Sequence, residues 1–259
     1  MNEVEAFILG IIQGLTEFLP ISSTGHLYLG RHLFGLDEAG IFLDTMLHVG
    51  TLIAVLIIYR VDIFALLRRP FSPLTFFLII GTLPAIFAGY FLSDFFDKLS
   101  QTGSTIGWEF VITGTVLYFS ERFYKGTKSL KDLNVKDALF IGFFQALAIF
   151  PAISRSGFTI VAALFRGYDR ASATKFSFLL SIPAILGGVT LQGASILSGG
   201  GESIGLIPLI IAAISSCFFG FVAIKWMISY LQNNSLKVFA YYTWFLGFLI
   251  IVLQQLGLF

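Results

Sequence analysis

Glu17, Ser22, Ser23, Thr24 and His26 place a carboxylate, three hydroxyls and an imidazole in one short stretch, Gln13-Gly14-Leu15-Thr16-Glu17-Phe18-Leu19-Pro20-Ile21-Ser22-Ser23-Thr24-Gly25-His26. A second stretch, Pro151-Ala152-Ile153-Ser154-Arg155-Ser156-Gly157-Phe158-Thr159, sets an arginine between two serines. Both lie in apolar sequence, where polar groups are expensive and require a reason. Arg155 must pair with something negative: an internal ion pair with Glu17, or the oxygens of a phosphate, which a guanidinium fork fits. Glu17 reads as a ligand of a hard divalent cation (Mg2+ or Ca2+), as a base, or as the charge partner of Arg155. Gln13, four residues earlier, shares its helix face and would join it at a cation. Ser23 and His26, three apart, offer a nucleophile and its base, or the reverse. Ser22, Thr24, Ser154, Ser156 and Thr159 supply further phosphate donors. Together these groups point to phosphoryl transfer on a lipid.

Other polar residues carry less. Asp44 and His48 stand four apart at the outer end of an apolar segment and read as a local hydrogen bond, with a supporting role toward the site as the alternative. His32, Glu109 and Glu202 read as interfacial or exposed. Cys217 is the single cysteine, so no disulfide framework exists.

The elements that must position these groups are apolar. Hydrophobic residues make up 56% of the chain and charged ones 12%, which puts the whole protein in a membrane as a single transmembrane domain, residues 1–259. The net charge of +1 gives no sign of a nucleic-acid partner. Glu3 and Glu5 stand where a cleaved leader would carry positive charge, so none is expected. Residues 40–59, 73–93, 106–121, 172–192, 204–230 and 238–257 are each near the length of a helical span. Residues 3–36 and 137–168 are pairs of shorter arms around the two polar stretches, which predicts re-entrant helix-loop-helix hairpins. The first arm, 3–19, is long enough that a full span is also open.

The second stretch repeats the first at a distance of 132 positions without a gap, Gly10, Gln13, Leu15, Phe18, Ile21, Ser22 and Gly25 meeting Gly142, Gln145, Leu147, Phe150, Ile153, Ser154 and Gly157. Arg60, Arg68, Arg69, Arg122, Lys125, Lys128, Lys131, Lys136, Arg166, Arg170, Lys175, Lys225 and Lys237 all fall inside if the 60–72 loop does; Arg31 and Lys98 fall outside. Both termini then face outward and the hairpins enter from opposite leaflets, giving an all-α inverted repeat with halves near 1–121 and 137–259. The serines before Gly25 and Gly157 are good helix N-caps, and both helix N-termini would point to the midplane, where free amides attract anions. Gly10 and Gly14 read as close-packing positions.

At these motifs the chain resembles the undecaprenyl-diphosphate phosphatase family, the bacitracin-resistance type of integral membrane phosphatase. The resemblance rests on Gln13 to Glu17, Pro20 to His26, and Pro151 to Thr159, with further likeness at His48-Val49-Gly50-Thr51-Leu52 and Phe176 to Pro183. It implies removal of the terminal phosphate of undecaprenyl diphosphate, with a divalent cation, at a site open to the outer face of the plasma membrane. The product would return to cell-wall synthesis. It also implies functional roles for Gln13, Glu17, Ser22, Ser23, Thr24, His26, Ser154, Arg155, Ser156 and Thr159. Gln13 stands where some members carry glutamate, and Ala152 where glycine is usual. The expected partners are the polyprenyl diphosphate and membrane lipids; oligomeric state, a homodimer included, is left open. The competing class is a transporter of a polyprenyl phosphate, because inverted repeats with broken helices are transporter architecture.

Overall fold

The computed structural model describes residues 1–36, 41–92, 103–197 and 204–257. Lys98 and Glu202 lie outside them. The described residues form eleven α-helices and one short 3-10 turn. They are α1 (Glu3–Phe18), α2 (Ser23–Leu33), α3 (Ile41–Ile58), α4 (Arg60–Arg68), α5 (Pro73–Phe91), α6 (Ile106–Arg122), α7 (Val135–Leu147), α8 (Arg155–Phe165), α9 (Arg170–Leu197), α10 (Leu206–Asn233) and α11 (Lys237–Gln255).

Capping explains most of the starts. Asn2 closes a reciprocal box with Glu5 ahead of α1, Ser72 precedes Pro73 at α5, and Asn134 caps α7. α5, α9, α10 and α11 are long and apolar enough to cross a bilayer. α6, at 17 residues, sits at the short end of the range of about 17–25. α3 runs on into α4 across a 79° bend. The sequence reading had a loop there; the structure has a second helix that leaves the span sideways.

α2 and α8 have 11 residues each. At about 1.5 Å per residue, each reaches roughly half of a 30 Å hydrocarbon core. Each hairpin therefore has a second arm too short to span, and the chain breaks at Pro20 and at Pro151.

Each hairpin leans on the far part of the chain. α1 packs against α10, while α7 packs against α5; α6 pairs with α11, and α3 with α9 and α10. Close approach requires glycine at matching places. A Cβ at Gly10 or Gly14 would strike the α10 backbone at Ala212 or Ser216, and one at Gly142 would strike that of Gly81 on α5. Gly10 and Gly142 are the equivalent positions of the two stretches.

The basic loops gather at one end of the bundle. There Arg166 and Lys128 meet Asp137, Arg170 meets Glu121, and Lys175 meets Asp62. Glu121 also accepts the Leu236 N–H at 2.8 Å, which ties the start of α11 to the same end.

Candidate active site

The two breaks meet. Ser156 Oγ donates to the Leu19 carbonyl at 3.0 Å, joining the second tip to the first. Arg155 forms an ion pair with Glu17, so one of the two partners anticipated for this guanidinium is in place. Around the same carboxylate, Ser23 Oγ donates at 2.6 Å and Gln13 Nε2 at 3.0 Å. Glu17 is 5% exposed, so these donors are its solvation shell.

Local backbone explains how Ser23 faces back toward α1. Ser22 has φ +69°, the single positive φ among described non-glycine residues. That conformation costs an L-residue roughly 1 kcal/mol or more and reverses the chain sharply after Pro20. Ser22 then caps α2 by accepting the Gly25 N–H at 3.3 Å, and Ser154 caps α8 through Gly157 at 3.2 Å. Both caps stand where the sequence placed them.

Glu17, Ser22, Ser23, Thr24, Ser154 and Arg155 line a cavity of about 490 Å³. Its remaining wall is mostly apolar and comes largely from α5, α9 and the second break at Ala148, Ile149 and Ile153. An anion entering it meets a guanidinium, hydroxyls and two helix N-termini.

His26 is elsewhere. Its Nδ1 lies 2.6 Å from the Ser22 carbonyl and its Nε2 2.7 Å from the Tyr242 hydroxyl, with Phe110 edge-on to the ring. It does not bond Ser23, and it is absent from the cavity lining. The expected Ser23–His26 pair is replaced by Ser23–Glu17, because Ser23 opens α2 at the bend while His26 lies against α11. Thr159 is likewise behind the site, fully buried, bonding the Arg155 carbonyl at 2.9 Å and Ser177 Oγ at 2.6 Å. It braces the first turn of α8. Ser156 serves as the clasp between tips.

Two residues read mainly as local or interfacial stand at the site, His48 in the supporting place that was its alternative and Glu109 unexpectedly. His48 lines the cavity, its Nδ1 engaged by the Asp44 carbonyl at 2.7 Å and its Nε2 3.8 Å from Glu17. The Asp44–His48 link exists, but through the backbone; the Asp44 carboxylate pairs with Arg31 at 2.7 Å. Glu109, read as interfacial or exposed, is 3% exposed. It accepts the Ala152 N–H and the Thr105 hydroxyl, each at 2.5 Å. With Thr113, which accepts the Ser154 N–H at 3.3 Å, it fastens the second break onto α6. The repeat was a usable signal for neither; His48 sat in a family-like run, and Glu109 carried no mark.

The donor set suits a hard cation in part. Gln13 Oε1 is fully buried without a hydrogen-bond donor, while Nε2 of the same amide donates to the Glu17 carboxylate. An unsatisfied amide oxygen is a ligand type that a hard cation takes, although Gln13 itself does not line the cavity. Among the described residues no cluster of three or more His, Cys, Asp or Glu exists to cage an ion by itself.

Comparison with known proteins places this architecture. The family model described as bacitracin resistance protein BacA matches residues 6–249. A protein of Bacillus thuringiensis (strain Al Hakam) named undecaprenyl-diphosphatase 4 is 60% identical over 259 residues, covering 100% of both chains. One named undecaprenyl-diphosphatase from Carboxydothermus hydrogenoformans is 46% identical over 261 residues, again 100% of each. Another of that name, from Halothermothrix orenii, is 42% identical over 255 residues and 98% of each.

Proposed function

The chain belongs to the bacitracin resistance protein BacA family, and from that premise we propose that it hydrolyses undecaprenyl diphosphate to undecaprenyl phosphate and inorganic phosphate. It is a multi-pass membrane phosphatase. The observation that carries its chemistry is the Ser23–Glu17–Arg155 cluster on the wall of a cavity faced by two helix N-termini.

In this reading the diphosphate displaces Glu17 from Arg155, whose guanidinium then holds phosphate oxygens together with the amides and hydroxyls at the starts of α2 and α8. Ser23 Oγ attacks the terminal phosphorus while Glu17 takes its proton. The bond from that phosphorus to the bridging oxygen breaks, and the lipid monophosphate leaves with the bond's electron pair. Water then cleaves the phosphoserine and restores the Ser23 hydroxyl. Gln13 Oε1 and Glu17 would hold a divalent cation, Mg2+ or Ca2+, which when bound offsets the charge of the diphosphate. The gathering of basic loops at one end of the bundle supports a cytoplasmic assignment for that end, with both termini and the site toward the outer face of the plasma membrane.

The test is phosphate release from undecaprenyl diphosphate by detergent-purified protein, titrated with Mg2+ or Ca2+. Ser23→Ala should lose about 10³-fold or more in kcat, and His26→Ala less than about tenfold. Near-normal turnover by Ser23→Ala, or an inactive but folded His26→Ala, would overturn the roles given. Detergent abolishes any gradient, so a pure transporter would release no phosphate at all.

A further inference from the structure

The diphosphate cavity accounts for the polar end of a lipid and leaves its chain unplaced. A second cavity of about 500 Å³ lies in the seam of α4, α5 and α9. Thr82, Ile86 and Pro183 line both, so the two spaces share a wall. Leu66, Ile79, Leu83 and Leu179 form much of the rest, and no charged side chain lines it. Its two threonines ask for nothing: Thr82 Oγ1 donates to the Leu78 carbonyl at 2.7 Å, and Thr75 Oγ1 bonds Ser72 Oγ at 2.8 Å. A groove without unmet polar groups suits hydrocarbon alone.

We propose that this groove seats the isoprenoid chain of the same substrate molecule whose diphosphate occupies the neighbouring cavity. The inference rests on the phosphatase reading above. Continuity identifies the occupant. A chain covalently attached to the diphosphate must leave the polar cavity past an apolar wall, and the wall at Thr82, Ile86 and Pro183 is shared with a groove of matching chemistry. A bilayer acyl chain would fill the same space without reference to the headgroup, which is what the experiment separates. The burial of repeated apolar units along the seam would supply affinity that grows with chain length.

Ile79 and Leu83 face the groove from α5 and remain 56% and 51% exposed, so a larger side chain there does not overpack the core. Ile79→Trp and Leu83→Trp narrow the groove. Phe87→Trp changes the same lipid-facing helix at a residue lining neither cavity and serves as the control. Steady-state phosphate release is measured with undecaprenyl diphosphate and with the shorter farnesyl diphosphate. Binding of undecaprenyl diphosphate to the same detergent-solubilised proteins is measured by calorimetry, a readout independent of turnover. The groove variants should raise KM and Kd for the long lipid about tenfold with kcat little changed, and the penalty should shrink for the short one. Phe87→Trp should match wild type. Unchanged KM and Kd in both groove variants would overturn the proposal, as would a loss equal for long and short chains. If wild type binds the lipid but releases no phosphate, the phosphatase reading fails, while the Kd series still decides the groove.

Discussion

Removing both members of the Glu17–Arg155 pair should cost less stability than the two single losses added together, and should return no activity. The two side chains are 3% and 18% exposed, and stranding one member of such a pair is expensive. The two single losses are not equal. In Arg155→Met, Glu17 keeps Ser23 and Gln13 as donors, so the cost should be about 2 kcal/mol. In Glu17→Leu the guanidinium loses its counter-charge while Ser23 and Gln13 lose their acceptor, which puts the cost at about 4 kcal/mol. The double variant leaves only those two neutral donors unmatched, at about 3 kcal/mol in all. It should therefore be about 3 kcal/mol more stable than additivity requires, the signature of a direct contact. Equilibrium unfolding in mixed micelles measures this series. Phosphate release measures the other half: each of the three variants should fall by about 10²–10³-fold or more, because the base, the guanidinium that meets developing phosphate charge, or both are gone. Additive destabilisation would refute the contact. A double variant that regains turnover along with stability would show that the pair only holds the hairpins together, and the catalytic reading would fall.

Other expectations follow from neighbouring contacts. Glu109→Leu removes the acceptor of the Ala152 N–H; kcat should drop through misplacement of Arg155, at a stability cost of about 1.5–3 kcal/mol, and Glu109→Gln should recover much of both because an amide oxygen still accepts there. His48→Ala should lower kcat/KM about tenfold, whereas His48→Gln, which keeps a donor near Glu17, should restore most of it; equal losses in the two variants would remove His48 from the site.

Much of this arrangement could be read before any coordinates. The breaks at Pro20 and Pro151, the caps at Ser22 and Ser154, the tight contacts of Gly10 and Gly14, and the meeting of Glu17 with Arg155 all follow from local chemistry or from the cost of unpaired charge. What escaped depends on which surface faces which. His26 and Ser23 are three apart within α2, but each meets a nearer tertiary partner, Ser23 the Glu17 carboxylate of α1 and His26 the Tyr242 hydroxyl of α11, and which partners stand there is not written in the spacing. His48 reaches the site only because α3 runs beside α1, a tertiary neighbour that no spacing within residues 40–59 reveals. Glu109 sits near the end of a hydrophobic run, where hydropathy alone cannot tell a headgroup-facing carboxylate from one that anchors a loop. The α3–α4 bend was missed because Arg60 and Asp62 resemble the polar exit of a span.

The leaning of α1 on α10 has a consequence for biogenesis. The first hairpin leaves the ribosome about two thirds of the chain ahead of the helix that covers it, roughly ten to forty seconds at 5–20 residues per second. For most of that interval Glu17 also waits for Arg155, and the hairpin's polar tip has no home in the lipid. It must shelter at the translocon or ride near the surface until the last third of the polypeptide arrives. A truncation before α10 would leave Glu17 and the helix that carries it without the surface α1 packs on.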